Sequence, residues 1–377
     1  MRPITRNLLA LACLLTTALI AAGLVGSPAL AKCGKDCKQL IATEFKACKS
    51  ACRRRRAGKA CRKACRHEKK ANGKACKAAT SPTPPDCGRM TTTTTTLATT
   101  RSTTVFVILM ENHNWSSIQG NASAPYINST LLPMASYAKQ YYNPPGNHPS
   151  EPNYLWLEAG TNFGILNDDD PSSNHQSTSH HLVSLLEAAG LSWRAYQEGI
   201  SGTDCPLTDY GSYVVKHDPF VFFDDVTGSN NPADAYCIVH VRPYAELATD
   251  LSNNTVARYN FITPNVCHDM HDSCAPFNDE VKQGDAWLST QVPKILASQA
   301  YTAKGVLFIT WDEAETGDGP IGMIVLSPVV KGGGYSNRIH YTHSSTLRTV
   351  EEIFGVNPLL HDAANATDLA DLFVTFP

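Results

Sequence analysis

Residues 105–112 read VFVILMEN, and this stretch decides the fold. Its first six residues are wholly apolar, which is typical of a strand buried on both faces of a parallel sheet. A carboxylate and an amide, Glu111 and Asn112, follow directly. Because open α/β sheets bind ligands beyond the carboxyl ends of their strands, we expect a functional site where this strand ends.

Further segments repeat the pattern of a buried strand and alternate with helical patterns. Apolar runs occupy Val306–Thr310 and Met323–Leu326, and Tyr259–Thr263 is a further strand candidate. Helical periodicity marks residues 181–189, 280–297 and 344–354. Strands that alternate with helices are typical of a parallel sheet covered on both faces. The sequence therefore predicts one α/β domain over residues 105–377, with a doubly wound, mostly parallel sheet.

Polar residues with catalytic or metal-binding chemistry follow two of these further strands. Tyr259–Thr263 is followed by Asn265, His268, Asp269, His271 and Asp272. Val306–Trp311 is followed by Asp312 and Glu313. Any one group could be an ordinary solvated loop, but three groups behind three strands favour a common crevice.

A fourth candidate element is the segment NHPSEPNY at residues 147–154. Two prolines fix the backbone on either side of Ser150, so the segment could present the serine hydroxyl rigidly. A rigid turn without chemistry is the alternative.

The near-neutral net charge of −2 conceals two oppositely charged parts. Residues 32–90 hold 18 basic and 4 acidic side chains, whereas residues 91–377 hold 12 basic and 30 acidic ones. Residues 1–31 have the basic start, apolar centre and Ala-Leu-Ala end of a secretory signal peptide. We expect a protein that is secreted, periplasmic or attached to the cell surface.

The basic part, residues 32–79, is rich in cysteine, and residues 80–104 form a linker rich in proline and threonine. The CxxxC pairs of residues 32–79 would place cysteines on one face of each of two helices. Such a module resembles the disulfide-stapled helical hairpins called α-hairpinins, which implies the pairs Cys33–Cys52 and Cys37–Cys48. Its charge favours an anionic membrane or cell-wall surface as a partner, and the lack of interleaved aromatic residues makes nucleic acid unlikely. A solvated charged face is the alternative.

Seven blocks in the acidic part resemble the phosphoesterase family of acid phosphatases and phosphatidylcholine-type phospholipases C. They are VILMENHNW (107–115), APYINS (124–129), HPSEPNYL (148–155), KHDPFVFFDD (216–225), FITPNVCHDMHD (261–272), TWDE (310–313) and HYTHSSTLRTVEEIFG (340–355). The resemblance implies an alkaline-phosphatase-like fold and hydrolysis of phosphate esters.

The resemblance also implies roles for individual residues. Ser150 matches the position of the nucleophile, and Asn112 would contact the phosphoryl group. The metal shell of the family is matched by Glu111, Asn112, Asp312 and Glu313, and this all-oxygen set suits a hard divalent cation such as Mg²⁺, Mn²⁺ or Ca²⁺. His271 is the favoured general acid, with His343 as the next candidate. Further substrate contacts are expected from His148, Asn265, His268 and Asp272. We expect the disulfides Cys205–Cys237 and Cys267–Cys274 in the same domain.

These observations lead to one function hypothesis and two alternatives. The hypothesis is a secreted acid phosphatase that cleaves phosphate monoesters through Ser150 with help from a divalent metal, although a metal-independent reaction stays open. A phospholipase C or phosphoinositide phosphatase acting on phospholipid headgroups would use the same site. A catalytically inactive surface-binding protein is the alternative from another class. The sequence does not decide the oligomeric state.

Overall fold

An eight-stranded sheet organises residues 103–377, the part of the chain that the computed structural model describes. The strand order is β5-β4-β6-β1-β7-β8-β2-β9, and a separate pair joins β10 to β3. The strands are β1 (Val105–Met110), β2 (Ser136–Ala138), β3 (Tyr141–Tyr142), β4 (Trp193–Gln197), β5 (Val241–Pro243), β6 (Tyr259–Thr263), β7 (Val306–Trp311), β8 (Met323–Leu326), β9 (Tyr335–Asn337) and β10 (Tyr341–Thr342). The signal peptide, the basic module and the pairs Cys33–Cys52 and Cys37–Cys48 lie outside the described residues.

The predicted mostly parallel sheet is confirmed. The central strand β1 pairs in parallel with both β6 and β7, and all its residues are buried, as its apolar run predicts. Strand β8 is an exception, because it runs antiparallel to both β7 and β2. Only residues 312–322 connect β7 to β8, and a parallel crossover needs about a dozen residues or more.

Five helices of at least seven residues cover the sheet in the described part. They are α1 (Ser150–Ala159), α2 (Leu182–Ala188), α3 (Leu247–Asn253), α4 (Glu280–Leu296) and α5 (His343–Phe354), with shorter helical turns between them. Helix α4 begins where the Asp279 side chain accepts the backbone N–H of Lys282, and α5 ends at Gly355 in the left-handed conformation. The predicted helices at 181–189, 280–297 and 344–354 are therefore present within about two residues at each end, the usual uncertainty of helix boundaries.

The segment at residues 147–154 runs into helix α1, which we did not predict from the sequence. Ser150 is the first residue of the helix, and Pro152 lies in the first turn, where a missing N–H costs no helical hydrogen bond. The helix is buried on almost every side, so it lacks the polar face that would have revealed it in the sequence.

Both disulfides expected in this domain are present, Cys205–Cys237 and Cys267–Cys274. No helix in residues 103–377 combines the length and the apolar character needed to cross a bilayer.

A buried ion network anchors the C-terminal half of α1. The His181 ring is fully buried, stacks on Phe223, and contacts Glu158 of α1 through Nδ1 at 2.9 Å and Asp225 through Nε2 at 3.0 Å. Burial alone would lower the pKa of His181, but the bonds to Asp225 and Glu158 outweigh it and raise the pKa to about 9. The charged ring thus links α1 to the segment that carries Asp225.

We expect His181→Ala to lower the free energy of unfolding by about 3 kcal/mol, since it leaves the buried Glu158 carboxylate unpaired. The folded pKa of His181 lies above its unfolded value, so its electrostatic contribution is complete below about pH 6.5 and is lost as the pH rises through about 9. Denaturant unfolding at pH 6 and pH 9.5 measures both effects. His175→Ala is the control, because it removes a solvent-exposed contact with Asp224 and should change stability by less than about 1 kcal/mol. An equal loss at both pH values would contradict the charged network.

Candidate active site

The carboxyl ends of the neighbouring strands β6, β1 and β7 bring three carboxylates together. Glu111 follows β1, Asp312 follows β7, and Asp269 lies in the loop after β6. Backbone bonds tie these ends, because the Glu111 N–H donates to the Asp269 carbonyl at 2.7 Å and the Asp312 N–H donates to the Met110 carbonyl at 2.9 Å. All three carboxylate residues are fully buried.

Asn112 turns the chain out of β1. Its φ of 52° is in the left-handed region, which asparagine tolerates better than most residues. The turn lets its backbone N–H donate to Asp312 Oδ1 at 2.9 Å. Asn112 therefore fixes the orientation of Asp312, a contact that the sequence did not reveal.

The first turns of α1 hold the Glu111 carboxylate. The Ser150 hydroxyl donates to Glu111 Oε2 at 3.1 Å, and the Tyr154 hydroxyl donates to Glu111 Oε1 at 2.5 Å. Ser150 is buried, with 2% of its surface exposed. The structure thus places the candidate nucleophile directly against one of the candidate metal ligands.

His217 is a member of the site that our residue assignment missed. Its ring is buried and stacks on Tyr154, with Nε2 3.4 Å from Glu111 Oε2 and Nδ1 3.2 Å from Asp269 Oδ2. Neither ring nitrogen has a hydrogen-bond partner among residues 103–377. The signal that could have found it was the block KHDPFVFFDD, which we used to identify the resemblance but not to assign a role.

The residues present fit a bound cation. Ligand atoms of Glu111, His217 and His271 all lie within 4.8 Å of one another. Asp269 Oδ2 and Asp312 Oδ2 are buried without a hydrogen-bond partner in the described part of the chain. Burial, and then the charges of Asp312 and Asp269, hold the pKa of Glu111 well above its usual range. A divalent cation would satisfy these atoms and neutralise the excess negative charge.

This ligand set differs from the predicted all-oxygen set of Glu111, Asn112, Asp312 and Glu313. Glu313 Oε2 is engaged by His148 Nδ1 at 2.5 Å and by Asn153 Nδ2 at 3.2 Å, and Asn112 contributes a backbone bond to Asp312. Two histidine nitrogens lie in the cluster instead, so transition metals that accept imidazole become candidates beside Mg²⁺, Mn²⁺ and Ca²⁺.

The predicted histidines occupy different positions. His271 Nδ1 contacts Asp272 Oδ1 at 2.8 Å, and the His271 backbone N–H donates to Asp269 Oδ1 at 2.8 Å. These contacts keep the ring near Glu111 and His217. His268 contacts Glu198 at 2.9 Å. The same carboxylate accepts the Asn265 N–H at 3.0 Å, so these two residues form a separate group around Glu198.

His343 is fully buried at the start of α5, and both ring nitrogens are engaged. Nε2 donates to the Asp312 carbonyl at 2.5 Å, and Nδ1 lies 3.1 Å from the Tyr141 hydroxyl. Burial lowers the pKa of His343 to about 4. These contacts suit a residue that positions Asp312, so His271 is the better candidate for general acid.

A strained backbone lies next to the candidate cation ligands. Met270, between Asp269 and His271, has a φ of 82°, which is unfavourable for a side chain of this kind. Gly284 of α4 makes room for it, because a Cβ there would lie 2.4 Å from Met270 Cγ. The packing of α4 therefore holds the loop that presents Asp269 and His271.

The fold and the site together define a class, namely an α/β protein with a buried serine and a group of side chains that fits a cation at the carboxyl edge of a parallel sheet. Comparison with known proteins then gives the family. The family model "Phosphoesterase family" matches residues 135–357, and the chain belongs to this family. The family and its acid phosphatase relatives confirm the predicted enzyme class, a hydrolase of phosphoric monoesters.

Curated relatives agree with the family assignment. The chain is 31% identical over 271 residues to a phosphatidylinositol-3-phosphatase of Mycobacterium tuberculosis, covering 71% of this chain and 82% of the relative. It is 27% identical over 289 residues to a probable acid phosphatase of Kluyveromyces lactis, covering 71% of this chain and 64% of that protein. A solved structure of an alkaline phosphatase superfamily protein from Vibrio parahaemolyticus is similar with a TM-score of 0.46 and 12% identity, covering 72% of this chain and 71% of that one.

Proposed function

We propose that the protein is a secreted acid phosphatase that hydrolyses phosphate monoesters through Ser150, assisted by a divalent metal ion. The observation that carries the proposal is the contact between the Ser150 hydroxyl and Glu111 Oε2, at 3.1 Å, within the cation-binding cluster. A serine hydroxyl is a weak nucleophile unless a neighbouring base or metal activates it.

The residues of the site divide the reaction between them. A bound cation would neutralise phosphoryl charge and ease deprotonation of the attacking hydroxyl. Ser150 Oγ forms a bond to phosphorus while its proton passes to Glu111, and the ester bond to the alkoxide breaks on the opposite side. Glu111, His217 and the unpartnered aspartate oxygens would hold the cation, which leaves the His271 ring free to give a proton to the departing alkoxide. His271 then takes a proton from the water that attacks the phosphoserine, the bond from phosphorus to Ser150 Oγ breaks, and Glu111 returns its proton to Oγ. Asn112 and His343 keep Asp312 in place.

Phosphoinositides are the second candidate substrates, because the Mycobacterium tuberculosis relative is named a phosphatidylinositol-3-phosphatase. A 3-phosphate on an inositol ring is also a monoester, so it needs the same chemistry. A phospholipase C reaction would instead require attack on a diester. The intact serine, carboxylate and histidine set argues against a catalytically inactive binding protein.

The export and surface binding of the protein are further parts of the proposal. The signal-like residues 1–31 support secretion or a periplasmic or cell-surface location. The positive charge of residues 32–79 supports attachment to an anionic membrane or wall surface. Both rest on the amino-acid pattern alone.

A substrate panel with and without chelator tests the proposal. We expect the full mature chain to cleave an aryl monophosphate best at acidic pH, and to cleave a bis(aryl) phosphate diester at least about tenfold more slowly. Chelation should remove the activity and added divalent metal should restore it. A dispersed phosphatidylinositol 3-phosphate measures the second candidate in the same assay. Preferred cleavage of the diester would contradict the monoesterase proposal, and full activity in chelator would contradict metal assistance.

A further inference from the structure

Lys216 lies beside the site but takes no part in the reaction steps proposed above. It directly precedes His217 in a short helical turn, Val215–His217, that packs against α1. Its ammonium contacts Asp168 Oδ2 at 2.9 Å, and Asp168 Oδ1 accepts the backbone N–H of Glu151 at 3.0 Å. Two hydrogen bonds through one carboxylate therefore separate the ammonium from the residue that follows Ser150.

Lys216 lies close enough to the site for its positive charge to act on the carboxylates of Glu111 and Asp312. With 22% of its side chain exposed, the ammonium is held by the protein yet accessible from the solvent.

The substrate explains why a cation is needed here. The buried carboxylates repel a phosphate monoester, which carries up to two negative charges, and one divalent cation offsets only part of that repulsion. An ammonium is a point charge with three donors, which suits a phosphoryl oxygen. A diester carries one negative charge, so a second cation favours the monoester over the diester.

We propose that Lys216 binds a non-bridging phosphoryl oxygen of the substrate and sets the preference for dianionic monoesters. Asp168 holds the ammonium near the start of α1 until substrate binds. This inference rests on the proposed function, because it assigns a substrate contact to the same site. The alternative is that the Lys216–Asp168 pair only ties two loops together.

Lys216→Met tests the inference, since it keeps most of the unbranched side chain and removes the charge. We expect kcat/KM for an aryl monophosphate to fall about 100-fold, the usual effect of losing one oxyanion contact. The fall for a bis(aryl) phosphate should be about tenfold or less, and inhibition by inorganic phosphate should weaken in parallel with the monoester effect. Lys216→Arg should recover part of the monoester rate, because it restores the charge.

Two further variants separate substrate binding from a structural tie. Lys331→Met removes a lysine away from the site, whose side chain is 31% exposed and contacts Asp371 at 3.1 Å. It should leave both rates and phosphate inhibition unchanged. Asp168→Asn removes the tie but keeps the ammonium, so its monoester loss should be much smaller than that of Lys216→Met. Equal losses on monoester and diester, or equal losses in Asp168→Asn and Lys216→Met, would overturn the inference. Wild-type preference for the diester would instead overturn the proposed function, so the two failures are distinguishable.

Discussion

Replacing Ser150 with alanine should lower kcat for an aryl monophosphate by at least about 10⁴-fold, because the covalent route loses its nucleophile. The protein should stay folded. Ser150 contributes a single hydroxyl bond to Glu111, and the Tyr154 hydroxyl still donates to the same carboxylate. Steady-state kinetics measures the loss of turnover, and thermal unfolding checks that the fold is intact.

A trapping experiment sharpens this test. Acid quenching of the wild type during turnover should yield a phosphorylated peptide that contains Ser150, and the variant should yield none. Ser136→Ala is the matched control, because Ser136 is also buried and accepts the backbone N–H of Gly332 at 3.0 Å. It should lose some stability and keep its turnover. Turnover close to that of the wild type in Ser150→Ala would show that Ser150 is not the nucleophile.

The central sheet could be predicted because its signal is local. The strand patterns of β1, β6, β7 and β8 each lie within a few consecutive residues. The candidate site residues follow β1, β6 and β7 closely in the sequence. Their convergence follows from a general property of parallel sheets, that the carboxyl ends meet at one edge. The direction of β8 was not predicted, because it depends on the length of a connection rather than on the strand itself.

The composition of the site was less predictable, since it depends on contacts distant in sequence. The block around His217 resembles the family, but it does not show that the ring lies between Glu111 and Asp269, because helix α1 and two strands must pack before that contact exists. His343 shows the opposite case. Its block resembles the family, yet its burial and its bonds to Asp312 and Tyr141 indicate a positioning role that only the packed structure reveals.

The packing of like charges around Glu111 leads to a prediction in which stability and activity change in opposite directions. Glu111→Gln should lower kcat/KM by about 1000-fold, comparable to the loss of a principal electrostatic contact at an active site. The same change should raise the unfolding free energy of the metal-free protein by about 1 kcal/mol. Glutamine keeps an acceptor for one of the two hydroxyls, presents its amide NH₂ to the other, and removes a buried charge beside Asp312 and Asp269.

The sign of the pH dependence follows from the raised pKa of Glu111. Its folded pKa lies above the unfolded value, so ionisation costs folding free energy as the pH rises. The advantage of glutamine should therefore be small near pH 4 and larger at neutral pH. Denaturant unfolding in chelator across this range measures it.

Adding divalent metal should then reverse the order of the two proteins. The wild type gains stability from a ligand that binds the folded state, whereas the variant has lost a ligand atom and gains less. Glu351→Gln is the matched control, because Glu351 is buried on α5, and burial raises its pKa to about 8. It should gain stability in the same direction with an unchanged metal response and unchanged turnover. If Glu111→Gln kept the full metal response, Glu111 would not be a cation ligand. If it lost stability in chelator, the charge of Glu111 would not destabilise the metal-free protein.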